Sequence, residues 1–348
     1  MLPETVSRLP RLTAELPRLK LAQLPTPLEE ARRLSEALGG PRILFKRDDL
    51  TGVALGGNKV RKLEFVIGRA VAEGADALVV CGGFQSNLAR IAAAVGNRLG
   101  LEVVLVLGGE PGEPRLPVGN LLLDRLYGVT VHTIDTSPRW EFGTAVDDVA
   151  ADLRRRGKRP FVVPLGGSGP EGMAGYVFAT EELLAQLEEL KLRPSRLYVA
   201  VGSGGTYSGL LLGALNQGAP YQVVGISVSR NREYLLEHIP LAAMAAAASL
   251  GLARWPSSAE ICVDDRYIGA GYGVITEGCR NAISIVARTE GVLLDPVYSG
   301  KAMHGLIEHI QTSQISSDES IIFLHTGGWP ALFAYDAAAL GVGCSADE

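Results

Sequence analysis

Three glycine-rich segments could do chemistry: Gly82-Gly83-Phe84-Gln85-Ser86-Asn87, Gly166-Gly167-Ser168-Gly169 and Gly202-Ser203-Gly204-Gly205-Thr206. Each falls between an apolar run and a stretch of helical periodicity, the position at which parallel sheets place ligands. The third segment has the makings of an anion cradle. Its glycines let backbone N–H groups converge, Ser203 and Thr206 add hydroxyls, and the helix that follows presents the positive end of its dipole. No Gly-Lys-Ser or Gly-Lys-Thr follows, so it is not a nucleotide P-loop. A dinucleotide fingerprint also fails, because position 207 is tyrosine and the next apolar run ends Gly225-Ile226-Ser227 with no acid for a ribose hydroxyl. A lone phosphate fits better than a nucleotide; a turn built only for tight packing is the plainer alternative.

Lysine is scarce, at Lys20, Lys46, Lys59, Lys62, Lys158, Lys191 and Lys301 only, within 33 basic residues. Lys59 follows Gly56-Gly57-Asn58 at the expected start of a helix. A cation there opposes the helix dipole, which lowers the amine pKa and suits a lysine that attacks a carbonyl. Taken alone, the segment also reads as a surface lysine beside a turn. Cys81, Cys262, Cys279 and Cys344 form no CxxC pair and have no histidine at ligand spacing, so neither a metal site nor a disulfide framework is expected. His325, at a strand end, reads as a structural histidine, and Tyr272 and Tyr298 taken alone read as packing residues.

The elements that must position these residues alternate along the chain. Strands are expected at 42–46, 77–81, 103–107, 129–134, 161–164, 197–201, 223–227 and 321–325, as continuous apolar runs of the kind covered by helices on both faces. Helices are expected at 59–74, 86–100, 118–127, 143–156, 171–190, 205–216, 242–248, 272–290, 299–311 and 330–340, several closed by glycines able to adopt the left-handed cap. The chain is therefore α/β throughout, and 348 residues suffice for two domains. A net charge of -5 and the absence of a basic stripe argue against nucleic acid as a partner. The run 154–159 reads as a solvated helix end. The first ten residues lack a signal-peptide layout, and the longest uncharged apolar stretch, 241–253, is shorter than the roughly 20 residues a bilayer requires. A soluble, cytoplasmic protein with no membrane partner is expected.

Together the segments resemble the pyridoxal-phosphate (PLP) enzymes that include 1-aminocyclopropane-1-carboxylate (ACC) deaminase and D-cysteine desulfhydrase, of the tryptophan-synthase-β-like fold type II. The resemblance covers nearly the whole chain. It runs through Leu24-Pro25-Thr26-Pro27-Leu28, Lys46-Arg47-Asp48-Asp49-Leu50, Gly56 to Glu64, Gln85-Ser86-Asn87 and Gly119-Asn120-Leu121-Leu122. It continues through Gly271-Tyr272-Gly273, Asp295-Pro296-Val297-Tyr298 with Gly300-Lys301, and His325-Thr326-Gly327-Gly328.

The resemblance implies two three-layer α/β/α domains with mainly parallel sheets and PLP in the cleft between them. The large domain would comprise 1–55 and 171–348, and the small one 56–170. By the same resemblance, Lys59 bonds the cofactor covalently and shuttles the Cα proton, Lys62 lies near the phosphate, and Gly202, Ser203, Gly204, Gly205 and Thr206 hold it. Asn87 contacts the ring hydroxyl and Thr326 the ring nitrogen. Ser86 receives the substrate carboxylate, with Gln85, Asn87, Leu88 and Gly167 around the substrate, while Tyr272 and Tyr298 transfer protons or grip the leaving group.

The implied reaction is β-elimination from a small amino acid, such as D-cysteine to pyruvate, sulfide and ammonia, by a homodimer without a metal. ACC deaminases carry glutamate where this chain has Ser299, which favours the desulfhydrase branch; Leu88, where the family has a polar residue, implies a more apolar substrate site. The alternatives are ring opening of ACC to α-ketobutyrate and ammonia, elimination of the sulfo group of cysteate, racemisation, and a PLP-binding ligand sensor without turnover.

Overall fold

A computed structural model describes residues 16–109, 116–135 and 141–342. The expected features of the first ten residues, and Cys344, lie outside them. The strands are β1 (Leu28–Glu30), β2 (Arg42–Lys46), β3 (Ala77–Gly83), β4 (Glu102–Gly109), β5 (Thr130–Asp135), β6 (Pro160–Val163), β7 (Arg196–Val201), β8 (Gln222–Ser227), β9 (Cys262–Asp264) and β10 (Ser320–Leu324). The helices are α1 (Arg32–Leu38), α2 (Lys59–Ala72), α3 (Asn87–Leu99), α4 (Gly119–Leu126), α5 (Gly143–Arg155), α6 (Pro170–Glu189), α7 (Gly205–Gln217), α8 (Arg232–Leu250), α9 (Glu277–Glu290) and α10 (Ser299–Gln311). Among them no helix is long and apolar enough to cross a membrane.

Two sheets form. One has the order β1-β2-β10-β7-β8-β9 and the other β5-β4-β3-β6. All pairings are parallel except β1 with β2. The continuous apolar runs are explained by burial on both faces. In β3, Leu78 and Val80 enter a core with α2 and α3 residues such as Leu63 and Ile91, whereas Ala77 and Val79 enter another with Val146 and Ala150 of α5. In the larger sheet, Phe45, Ile226 and Phe323 pack with Val286 of α9 and Leu306 of α10, while Leu44, Val199 and Ile322 pack with Leu183 of α6 and Leu210 of α7. Each sheet is thus the middle of three layers. All four strands of the smaller sheet lie between residues 77 and 163, and the six of the larger sheet lie outside that span.

The expectations miss β1 and β9, edge strands of three residues each, and α1. Three expected helices change, the one at 242–248 being part of α8, which starts at Arg232 behind an Asn231 cap. Helix α9 starts at Glu277, capped by the Thr276 hydroxyl, because Gly271 (φ 152°) and Gly273 (φ 76°) leave helical space. The segment expected to be helical at 330–340 holds only a 3₁₀ turn over Trp329–Ala334, after which Tyr335 turns extended and its hydroxyl donates to Gly273 O at 2.6 Å.

A buried ionic network ties α2 to the segment after β2 and to α6. The Arg61 guanidinium donates to both oxygens of Asp48 at 2.9 Å, and to both oxygens of Glu182 on α6. Asp48 also accepts from Thr26 Oγ1 (2.8 Å) and Tyr176 OH (2.7 Å), and Lys46 Nζ donates to Glu182. Burial, the largest single influence, would raise the Asp48 carboxyl, but the charge and hydrogen bonds of Arg61 together with the Lys46 charge and the Tyr176 hydrogen bond outweigh it and hold it below its ordinary range.

Candidate active site

The carboxyl ends of both sheets border a cleft. Lys59, Ser86, Asn87, Leu88, Gly202, Ser203, Gly204, Gly205, Thr206, Tyr272, Tyr298 and Thr326 line it; Lys62, Gln85 and Gly167 do not.

Lys59 reaches the cleft because the chain before α2 is coiled into left-handed backbone at Ala54, Leu55, Gly56 and Gly57. A Cβ on Gly56 would stand 1.9 Å from Asp49 O, so only glycine allows this approach. Lys59 Nζ and Lys62 Nζ, one turn apart, donate to the same carbonyl, Gly166 O, at 3.0 and 2.8 Å. No carboxylate pairs with either lysine among the described residues. Burial pushes the Lys59 amine down to about 8; burial and then the Lys59 charge push Lys62 well below the usual lysine value. Lys59 alone faces the cleft, whereas Lys62 points under the Gly202–Thr206 loop. A Cβ on Gly205 would sit 2.6 Å from Lys62 Nζ and 2.5 Å from Ser168 Oγ.

Because its pKa is depressed, Lys59 becomes a neutral nucleophile as pH rises through about 8 rather than 10.5. Capture of an aldehyde by the apo-protein is expected to accelerate through that range and level off above it. A rate still climbing at the unperturbed lysine value would contradict this placement.

The Gly202–Thr206 loop enters α7, whose internal bonding begins with Ser208 N to Gly204 O, so the N–H groups ahead of it are left for a ligand. Ser203 Oγ meets Ser168 Oγ at 2.7 Å, and Asn58 Nδ2 donates to Thr206 Oγ1 at 2.9 Å. Across the cleft, Ser86 caps α3 by accepting from Ala89 N at 3.2 Å, which leaves the hydroxyl proton free to donate. The Asn87 amide oxygen accepts from Arg90 Nη1 (2.8 Å) and Asn120 Nδ2 (2.9 Å), so its NH₂ is the group left for the cleft.

The remaining wall carries Tyr272, Tyr298 and apolar side chains, with Ser229 and Arg230 also on it. Tyr272 OH and Tyr298 OH are 2.6 Å apart. Burial raises the Tyr298 phenol above its ordinary value, so it is a proton donor at neutral pH. Leu88 lies at the cleft floor, 2% exposed and packed into the core of the small sheet. Cys81 also borders the cleft, but burial raises its thiol to about 11, which removes it as a thiolate nucleophile. Thr326 presents its side chain there from a loop braced by buried His325, whose Nε2 donates to Leu293 O (3.0 Å) and whose Nδ1 accepts from Gly327 N (3.2 Å). Ser299 is drawn away, bonded to the Asp295 carboxylate at 2.6 Å.

Two expected substrate contacts are placed elsewhere. Gln85 turns from the cleft and clamps the start of α4, accepting from Asn120 N (2.8 Å) and donating to Val118 O (3.1 Å). Gly167 sits behind the wall against Leu88, and Gly166 takes the lining position. Residues the sequence reasoning passed over include Asn58, Ser168, Arg90 and Asn120. Arg90 was detectable as a charge inside the apolar run Leu88 to Val95; it is fully buried and also donates to Gly56 O at 2.9 Å, joining Asn87 to the loop that carries Lys59.

This arrangement can hold a dianion, form a covalent bond through an amine, receive a carboxylate at a helix start and move protons through paired phenols. Residues 19–327 match the family model described as pyridoxal-phosphate dependent enzyme. A D-cysteine desulfhydrase of Salmonella typhi is 42% identical over 92% of this chain and 96% of its own. A Pyrococcus abyssi protein, provisionally named a 1-aminocyclopropane-1-carboxylate deaminase, is 39% identical over 93% of this chain and 95% of its own. The crystal structure of an ACC deaminase homologue superposes with a TM-score of 0.88 at 35% identity, covering 97% of this chain and 100% of that one.

Proposed function

The chain belongs to the family of pyridoxal-phosphate dependent enzymes, and we propose that it is a β-eliminating lyase acting on a small amino acid, of the D-cysteine desulfhydrase type. The residues present fit the cofactor: two buried lysines without acidic partners face or underlie a glycine loop in which a Cβ on Gly205 would crowd the donor atoms. Lys59 would carry it covalently. Lys62 and the loop Gly202, Ser203, Gly204, Gly205 and Thr206 would hold the phosphate, Asn87 would donate to the ring hydroxyl, and Thr326 would meet the ring nitrogen.

When bound, the cofactor supplies an electron sink that stabilises negative charge on the substrate Cα. The chain's own residues determine the rest. Ser86 and the N–H groups at the start of α3 would receive the substrate carboxylate. Lys59, freed when the substrate amine replaces it, would take the Cα proton. As the Cβ–sulfur bond breaks with its electron pair, the Tyr272–Tyr298 pair would protonate the departing sulfur. The released enamine adds water to give pyruvate and ammonia.

The observation that carries elimination over ring opening is that, among the described residues, no aspartate or glutamate lines the cleft; Thr326, which would meet the ring nitrogen, offers only a hydroxyl, and Ser299 is tied to Asp295. A hydroxyl cannot keep a pyridine nitrogen protonated as a carboxylate can. The weaker sink suffices to expel a thiolate and serves poorly to break a carbon–carbon bond. D-Cysteine is therefore expected to release sulfide with kcat/KM at least about a hundredfold above that for α-ketobutyrate formation from ACC, roughly 2.7 kcal/mol of transition-state stabilisation. The reverse preference would overturn this reading. The same reading takes the enzyme to be a cytoplasmic homodimer, as the resemblance implies; sedimentation of the purified protein checks the oligomer.

A further inference from the structure

Lys301 is a buried lysine that the chemistry above leaves unassigned. It is the third residue of α10, the helix that starts directly after Tyr298, and its side chain is wholly enclosed. Its ammonium donates to Ile268 O at 2.6 Å and to Gly271 O at 2.9 Å. No carboxylate lies within ion-pair distance of it among the described residues. Enclosing a cation against carbonyls alone is a costly way to fill space, since methionine would occupy a similar volume without desolvating a charge. The carbonyls it binds identify what it holds.

Both belong to the segment immediately before Tyr272, and Tyr272 itself stands between Gly271 (φ 152°) and Gly273 (φ 76°). Backbone flanked by two such glycines has little conformational preference of its own, so its course is set from outside. Lys301 fixes one side of the tyrosine at Gly271 O, and Tyr335 fixes the other at Gly273 O, at 2.6 Å. The turn that carries Lys301 also carries Tyr298, whose N–H is anchored on Asp295 Oδ2 at 2.9 Å. One rigid turn thus presents one phenol directly and holds the other by its backbone.

We infer that Lys301 is a positioning residue: it ties loop 268–273 to α10 so that the Tyr272 and Tyr298 hydroxyls stay in hydrogen-bond contact. The functional side of this inference rests on the proposed role of the two tyrosines in elimination; the structural side does not. The experiment compares hydrogen exchange of PLP-loaded wild type and Lys301→Met. Exchange across 268–273 is expected to rise roughly tenfold or more, as loss of two hydrogen bonds from a charged donor frees the loop, with α2 and the small sheet unchanged. With D-cysteine, kcat is expected to fall at least about tenfold with little change in KM or in the visible spectrum of the bound cofactor.

Lys301→Gln, which keeps an uncharged N–H donor group, is expected to fall between the two, and replaces the methionine variant if that form does not fold. Unchanged exchange in the loop, or a general rise across the molecule, overturns the inference, as does a freed loop with undiminished kcat. Loosening of the loop in an enzyme whose wild type eliminates nothing from D-cysteine or cysteate leaves the positioning role standing and refutes the elimination reading.

Discussion

Lys59→Ala is expected to lower kcat for elimination by roughly 10³-fold or more, because the variant loses both the covalent link to the cofactor and the base beside Cα. The fold should survive, since the side chain ends on Gly166 O at the cleft wall and makes no ion pair. Lys62→Ala gives the informative contrast. Both amines meet the same carbonyl, yet only Lys59 faces the cleft, so loss of Lys62 is expected to weaken retention of the phosphate while the covalent attachment persists. Dialysis followed by absorbance separates the two variants. Equal loss of covalent attachment in both would mean that the lysines share the role.

Much of this site was legible in the residues. Glycines clustered after apolar runs marked the strand ends, and continuous rather than alternating hydrophobicity in segments such as 77–81 announced burial on both faces. The helix over 299–311 was readable to the residue because its period is unbroken. What stayed hidden depends on contacts far apart in sequence. Gln85 reads as a ligand contact from its place beside Ser86, but its side chain is taken by Asn120, whose proximity no spacing reveals. The strands β1 and β9 are too short to show a period and exist through their neighbours. Residues 271–273 contain two glycines, and the helix expected to start there begins only at Glu277, where Thr276 supplies a cap.

The second large effect concerns stability. Asp48→Asn is expected to cost roughly 3–5 kcal/mol, because it leaves the buried Arg61 guanidinium without the carboxylate that holds two of its N–H groups. Asparagine preserves the volume, so the loss measures the charge and the mismatched donors. Arg61 lies on α2 between Lys59 and Lys62, and loosening it is expected to reduce kcat as well. Denaturant unfolding measures the first effect. A change below about 1 kcal/mol would place the network with ordinary surface pairs.

The same network sets an acid limit. The Asp48 and Glu182 carboxyls are held below their ordinary values, burial at each being outweighed by the charge and hydrogen bonds of Arg61 combined with the Lys46 charge. Their contribution is therefore complete above the unfolded carboxylate range and is lost as pH falls through the lowered values. Wild-type stability should drop steeply on that acid side, and Asp48→Asn should flatten the drop.

The central claim is that one lysine, Lys59, bonds the cofactor in the cleft, while Lys62, beneath the Gly202–Thr206 loop, serves its phosphate. Borohydride reduction of the PLP-loaded protein, followed by peptide mapping, tests it most directly. A single phosphopyridoxyl group, on Lys59, is expected. A label on Lys62 or Lys301, or a protein that takes up no cofactor, would contradict it.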